Sequence, residues 1–251
     1  MEVHHHPHVE KKSFKEYLLE GLMIFLAVSM GFIAENIREK IAEHETEKKS
    51  IEVIVNNLKD DVTRLQNCIK QNAFKAKVID TAIIFLNKEK LSVDSVEILI
   101  NLMYKCGPNF DFISNDAAIQ EIKSSGSIRL IKNKGILDSI LRYEYTNKLI
   151  SVNQADCNQW SFAAHSNSTK LDYSFYQSGN AAKLSKQKME LATPGEIYYQ
   201  EQKILLSQCH SQFQIVKFIT EAMVLPLLQQ QLVNCKKLID LLEKEYHLKH
   251  E

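Results

Sequence analysis

Residues 17–37 read YLLEGLMIFLAVSMGFIAENI. Between Gly21 and Ala34 there is no charge, and Ser29 is the only polar side chain. At ~1.5 Å rise per residue this segment makes a helix of ~30 Å, about the thickness of a bilayer's hydrocarbon core. Glu20 and Glu35 bracket the uncharged part, so their carboxylates fall near the two interfaces, with Tyr17 at headgroup depth. The uncharged run is shorter than a comfortable span, and apolar runs of this length also form buried helices in soluble proteins. A membrane helix over 17–37 is the expectation, and a buried core helix is the alternative.

Working outward to the N-terminus, residues 1–16 carry His4, His5, His6 and His8, then Lys11, Lys12 and Lys15. Imidazoles this dense bind Zn, Ni or Cu ions loosely. A tail interrupted by Pro7 supplies neither fixed geometry nor the surrounding hydrogen bonds that orient metal ligands, so a solvated basic tail is the plainer reading. Charged residues before an apolar run resemble the start of a secretory signal, but no small-x-small cleavage site follows, because Ala34 runs directly into Glu35. An uncleaved signal anchor is expected. Lys and Arg are nearly balanced on the two sides, yet a short cationic tail resists transfer whereas long C-terminal domains cross largely regardless of charge. The expected arrangement is a cytoplasmic tail (1–16), a transmembrane helix (17–37) and a periplasmic helical domain (38–251).

Outward on the other side, the helix meets no reason to stop: neither Gly nor Pro occurs between Phe32 and Cys106. A heptad-like seam runs through Ile51, Val55, Leu58, Val62, Leu65 and Ile69. Backwards it meets Ile41, Ile37, Ala34, Met30, Ala27 and Met23; forwards it resumes at Ala76, Ile79, Ile83 and Leu86. His44 and Lys48 interrupt it. The seam is either a coiled-coil stalk that oligomerises or a stripe packed against later helices of the same chain. Within the membrane segment, Ala27, Gly31 and Ala34 place small residues three and four apart, a face on which a second helix can approach closely.

The remainder reads as further helices. Ser92 caps a helix over Val93–Lys105, which Cys106-Gly107-Pro108 ends. PNFDFI is an extended linker pinned by Phe110 and Phe112. Ser114 or Asn115 caps a short helix that stops at Gly126. In SIRLIKNKG the expected buried positions are Ile128, Leu130 and Ile131. Asn133 caps a longer helix reaching towards Ser168, and the Ser-, Asn- and Gln-rich stretch from Asn167 to Lys188 reads as a long loop with at most a short helix. Thr193-Pro194-Gly195-Glu196 starts a last helix with Ile204, Leu205, Cys209, Phe213, Val216, Ile219 and Met223 inward. Pro226 kinks it. The stripe then continues through Leu228, Leu232, Cys235, Ile239, Leu242 and Tyr246.

Composition excludes several classes. The 251 residues hold 31 Lys and Arg against 31 Asp and Glu, so no basic surplus points to nucleic acid. Seven Gly and four Pro are few, and with the helical periodicity they favour an all-α chain over sandwiches, barrels or βαβ units. The five cysteines, Cys68, Cys106, Cys157, Cys209 and Cys235, form no CxxC pair, and an odd number cannot all pair internally; buried free thiols are preferred to a structural disulfide. Glu43-His44-Glu45 lacks HExxH spacing, and there is no Gly-rich phosphate loop or GxSxG. No catalytic residues and no cofactor are expected.

Two blocks carry a resemblance. MEVHHHPHVEKKSFKEYLLEGLMIFLAVSMGFIAENIRE (1–39) and AIQEIKSSGSIRLIKNKGILDSILRYE (118–144) resemble the domain-of-unknown-function 6090 family, uncharacterised single-pass membrane proteins of Gram-negative bacteria. Shared features are a membrane segment ending in a polar, Asn-containing turn, here Ala34-Glu35-Asn36, and an SSG followed by Leu-Ile-x-Asn, here Ser124-Ser125-Gly126 and Leu130-Ile131-Lys132-Asn133. The resemblance implies a membrane-anchored helical protein and supplies no activity; the expected location is the bacterial inner membrane. The expected fold is all-α: an N-terminal transmembrane helix continuing into a long helix that packs in an extramembrane helical bundle. The expected role is a scaffold or interaction protein with lipid bilayer, a second copy or an unidentified envelope protein as partner. The alternative is a sensor whose bundle binds a ligand or partner and relays it to the membrane helix.

Overall fold

The computed structural model describes residues 13–106, 110–182 and 202–248. Every regular element among these residues is helical, with no strand among them: α1 (Phe14–Leu86), α2 (Val93–Cys106), α3 (Ala117–Ser124), a 3₁₀ turn (Ser127–Leu130), α4 (Lys134–Ala182), α5 (Lys203–Ile219), a π turn (Thr220–Val224) and α6 (Leu225–Glu245). Two units are distinguished, Met1–Ser50 and Ile51–Glu251.

In the first unit, α1 begins at Phe14, three residues before the expected start. The Ser13 N–H donates to Glu16 Oε2 at 2.9 Å, one half of the reciprocal Ser-x-x-Glu cap spelled by SFKE. From there the helix is continuous through the apolar stretch, Gly21 and Gly31 included.

In the second unit, the body starts at Ile51. Ile51, Ile54, Val55, Leu58 and Leu65 of α1 are buried, and further along Ala76, Val78, Ile79, Ala82 and Leu86. Val62, Ile69 and Ile83 are only half-buried beside them. From Ile51 onward the seam is therefore occupied by later helices of the same chain. α4 packs along α5 and α6, and α2 lies against α4. Buried contributions from α4 (Ile136, Ile140, Tyr143, Ile150, Leu171) and from α5 and α6 (Phe213, Val216, Leu228, Leu238, Leu242) join those of α1 in one hydrophobic cluster. Each fully buried Leu or Ile contributes roughly 1.5–3 kcal/mol relative to exposure.

Local signals place several boundaries. Ser92 Oγ accepts the Ser95 N–H at 3.3 Å at the start of α2. Asn133 Oδ1 accepts the N–H groups of Gly135 at 2.9 Å and Ile136 at 3.4 Å, capping α4. Gly126 stands at φ 74° just after α3, the left-handed conformation that glycine adopts without strain. In the segment that follows, Ile131 is buried whereas Ile128 and Leu130 are half-buried.

Other expectations are corrected. Neither Ser114 nor Asn115 caps α3: the residue at that position is Asp116, without a side-chain cap bond, and the Asn115 N–H turns to Asp61. No loop begins at Asn167, since α4 runs on to Ala182. Its hydroxyls bond to the preceding turn (Ser168 Oγ to Ala164 O at 2.7 Å, Thr169 Oγ1 to His165 O at 3.0 Å), and Asn167 Nδ2 donates to Gln212 Oε1 of α5 at 3.1 Å. Polar residues that read as loop formers thus serve a helix–helix contact. On α5, Ile204 is exposed and Leu206 is buried; past it, Met223 is exposed and Val224 is buried. The π turn accounts for the second change: its wider i→i+5 bonding keeps Val216, Thr220, Val224 and Leu228, spaced by fours, on one face across Pro226. Leu232 is half-buried. The expected stop at Gly107-Pro108 and start at Thr193–Glu196 lie outside the described residues.

Candidate functional site

Two regions set this chain apart from an ordinary helical body. The first is the apolar part of α1. Leu18, Ile24, Phe25 and Phe32 are 63, 65, 66 and 73% exposed, and Leu22, Met23, Val28, Met30, Ile33 and Ile37 are exposed with them. Water does not tolerate a helix apolar on every side, so such a helix is covered by protein or by lipid. This stretch is unburied among the described residues. This is one helix, near the N-terminus, that is long and apolar enough to cross a membrane. Ala27, Gly31 and Ala34 are exposed on it, and a Cβ added at Gly31 would meet nothing within 4 Å. Glu35 and Arg38 pair on its surface one turn apart.

The second region is the way residues 110–115 are held. This stretch has no regular structure, and its main chain is bound by side chains of α1 and α4. Asn72 Nδ2 donates to the Phe110 carbonyl at 2.8 Å. In the amide orientation that satisfies both groups, Gln154 donates to Phe112 O at 3.1 Å and accepts the Phe112 N–H at 2.6 Å. Both oxygens of Asp61 lie 3.0 Å from the Asn115 nitrogen and accept its N–H. Asn158 Nδ2 adds a bond to Asp111 Oδ2 at 2.7 Å. Phe112 is buried, Phe110 is half-buried, and Ile113 points outward. An extended segment cannot satisfy its own backbone groups, so buried side chains have to do so.

Asp61 is also where this holding system joins the body. It accepts the Tyr143 hydroxyl, while the Tyr143 carbonyl accepts Gln231 Nε2 of α6 at 2.9 Å. Gln231 also donates to Asn147 Oδ1 at 2.6 Å, and the Cys235 thiol donates to Leu58 O at 3.2 Å. Burial pushes the Asp61 carboxyl above its ordinary range against the opposing pull of its bonds from Tyr143 and Asn115. Farther along α1, Lys75 is buried with its ammonium 3.0 Å from Ser161 Oγ, and burial lowers its pKa while Cys157, Cys106 and Asp111 pull the other way.

All five cysteines are free. Burial pushes the thiols of Cys106, Cys209 and Cys235 up to about 12. Among the described residues no three His, Cys, Asp or Glu side chains converge as metal ligands do. His4, His5, His6 and His8 lie outside the described residues. The sequence reading missed Asp61, Asn72, Lys75 and Gln154. Asp61 falls between Leu58 and Leu65 on the packed face, and Asn72 follows Leu65 by two turns, so a polar residue in apolar phase was the available signal. Compared with protein-family models, curated proteins and solved structures, the chain finds no match in any of the three.

Proposed function

We propose that this is a membrane-anchored helical scaffold or interaction protein. Residues 17–37 cross the bilayer, 1–16 form a cytoplasmic tail, and 38–251 stand in the periplasm as a helical bundle anchored to the bacterial inner membrane. The observation that carries the reading is the contrast along α1: Leu18, Ile24, Phe25 and Phe32 are exposed, whereas Ile51, Ile54 and Leu58 are buried. One helix thus presents an apolar surface suited to lipid and then enters a protein core. The resemblance of residues 1–39 and 118–144 supports a bacterial inner membrane. A second copy associates through the face of Ala27, Gly31 and Ala34, where close approach lets dispersion and lipid entropy act without a hydrophobic driving force. Reporter fusions test the topology: a reporter active only in the periplasm is active after Glu251 and inactive before Ser13, and the reverse pattern overturns the orientation.

A further inference from the structure

We infer that the outward face of α4, along residues 141–162, is a self-association surface on which a second copy of this chain lays its own α4 end for end. The inference rests on the interaction reading above and names the helical body's partner; it requires neither the membrane assignment nor the contact through Gly31. Tyr143, Ile150, Gln154, Cys157 and Ser161 bury one face of this helix. On the opposite face Leu141, Tyr145, Val152 and Phe162 are 48, 63, 54 and 75% exposed. With Lys148, Ala155 and Gln159, also exposed, they follow one another at alternating spacings of four and three residues. That alternation keeps a stripe on one side of a helix and is the pattern along which two helices interlock.

The charges on this face make it complementary to itself in one sense only. Lys148 and Asp156 are exposed and stand four residues to either side of Val152. A two-fold axis through Val152 therefore brings Lys148 of each copy level with Asp156 of the other, and Leu141 beside Phe162. Aligned in parallel, the same face sets Lys148 against Lys148 and Asp156 against Asp156, so repulsion opposes that arrangement. The area is sufficient as well. With whole aromatic side chains offering ~150–250 Å² each, the uncovered parts of this stripe come to roughly 500 Å² per copy. Two copies then bury about 1,000 Å², the lower end of what a specific pair requires.

The test co-expresses two full chains, one carrying Leu141→Cys and the other Phe162→Cys, and purifies them together in detergent. Both carry Cys68→Ser, because the other four native thiols are buried. A short bismaleimide, with the joined peptides assigned by mass spectrometry, should link position 141 to position 162 of the other chain. That product should exceed the 141–141 and 162–162 products by at least about fivefold, as an end-for-end pair demands. Val152→Asp in both chains should abolish it by setting like charges across the axis. The substituted positions 141, 152 and 162 are exposed, and circular dichroism confirms that each variant remains helical. Helical chains that give no 141–162 product, or that link like positions as readily, overturn the proposal. The same pair carrying Gly31→Ile should keep the product; its loss there means that contact through the apolar part of α1 alone brings the copies together, and also overturns the proposal. The readout is independent of membrane fractionation, so failure here is distinguishable from failure of the anchor.

Discussion

The Tyr143 hydroxyl of α4 donates to Asp61 Oδ2 of α1, and both residues are wholly buried. Through the same two residues the extended segment reaches Asp61 by its Asn115 N–H, and α6 reaches the Tyr143 carbonyl through Gln231. Four parts of the body thus meet at two residues, Asp61 and Tyr143. A buried carboxylate is costly unless it is hydrogen-bonded, and here the backbone N–H and the phenol supply the donors.

Asp61→Ala should destabilise the body by about 2–4 kcal/mol, since it leaves two buried donors without an acceptor as well as a small cavity. Thermal or urea unfolding of the full chain in detergent, followed by circular dichroism, measures this. A change below ~0.5 kcal/mol would mean that the junction contributes little beyond packing.

Acid should favour wild type relative to Asp61→Asn. Burial raises the Asp61 pKa in the folded state above 3.8, so the folded chain binds this proton more tightly than the unfolded one. The stabilising contribution of protonation is complete below the unfolded value and is lost as pH rises through the folded value. The stability difference between wild type and Asp61→Asn therefore shifts towards wild type as pH falls from neutral. A shift the other way would show that hydrogen bonding outweighs burial at this carboxylate.

Much of the helical frame was legible because its signals are local. Ser92, Asn133 and Gly126 mark ends by chemistry that needs no tertiary partner, and the apolar run at 17–37 stands out by composition alone. The misreadings are those in which a distant partner decides. Asn167 and Ser168 have loop-forming side chains, but α5 and the preceding turn of α4 give them bonds inside a helix. Asp61, unlike its neighbour Asp60, falls in apolar phase, but it takes Tyr143 and Asn115 to make it a buried junction. The π turn was equally hidden, because Pro226 announces a disturbance without saying which way the phase shifts.

Thiol reactivity should follow burial. Cys106, Cys157, Cys209 and Cys235 are buried, whereas Cys68 is half-buried. Maleimide at neutral pH should therefore modify Cys68 first, with the other four reacting only after unfolding. Mass spectrometry of the native and denatured chain reads this directly. Rapid native labelling of Cys235 would contradict the packing of α6 on α1.

Two substitutions separate the free and occupied parts of α1. Gly31→Ile meets open space in this chain, so it should leave the fold intact and reduce cross-linked dimer in membranes by blocking close approach. Leu58 is 1% exposed within the chain's own core, so Leu58→Asp should unfold the body instead of acting on self-association alone. Cross-linking at low expression and circular dichroism on each variant check both outcomes; a wild type without any cross-linked dimer removes the self-association proposal.

The anchor is tested most directly by expressing the full chain in bacteria and washing the membrane pellet with carbonate. On the proposed reading the chain should stay in the pellet through the wash and leave it only with detergent, because residues 17–37 expose an apolar surface without protein cover among the described residues. Recovery of intact, folded chain in the soluble fraction would contradict the account at its centre.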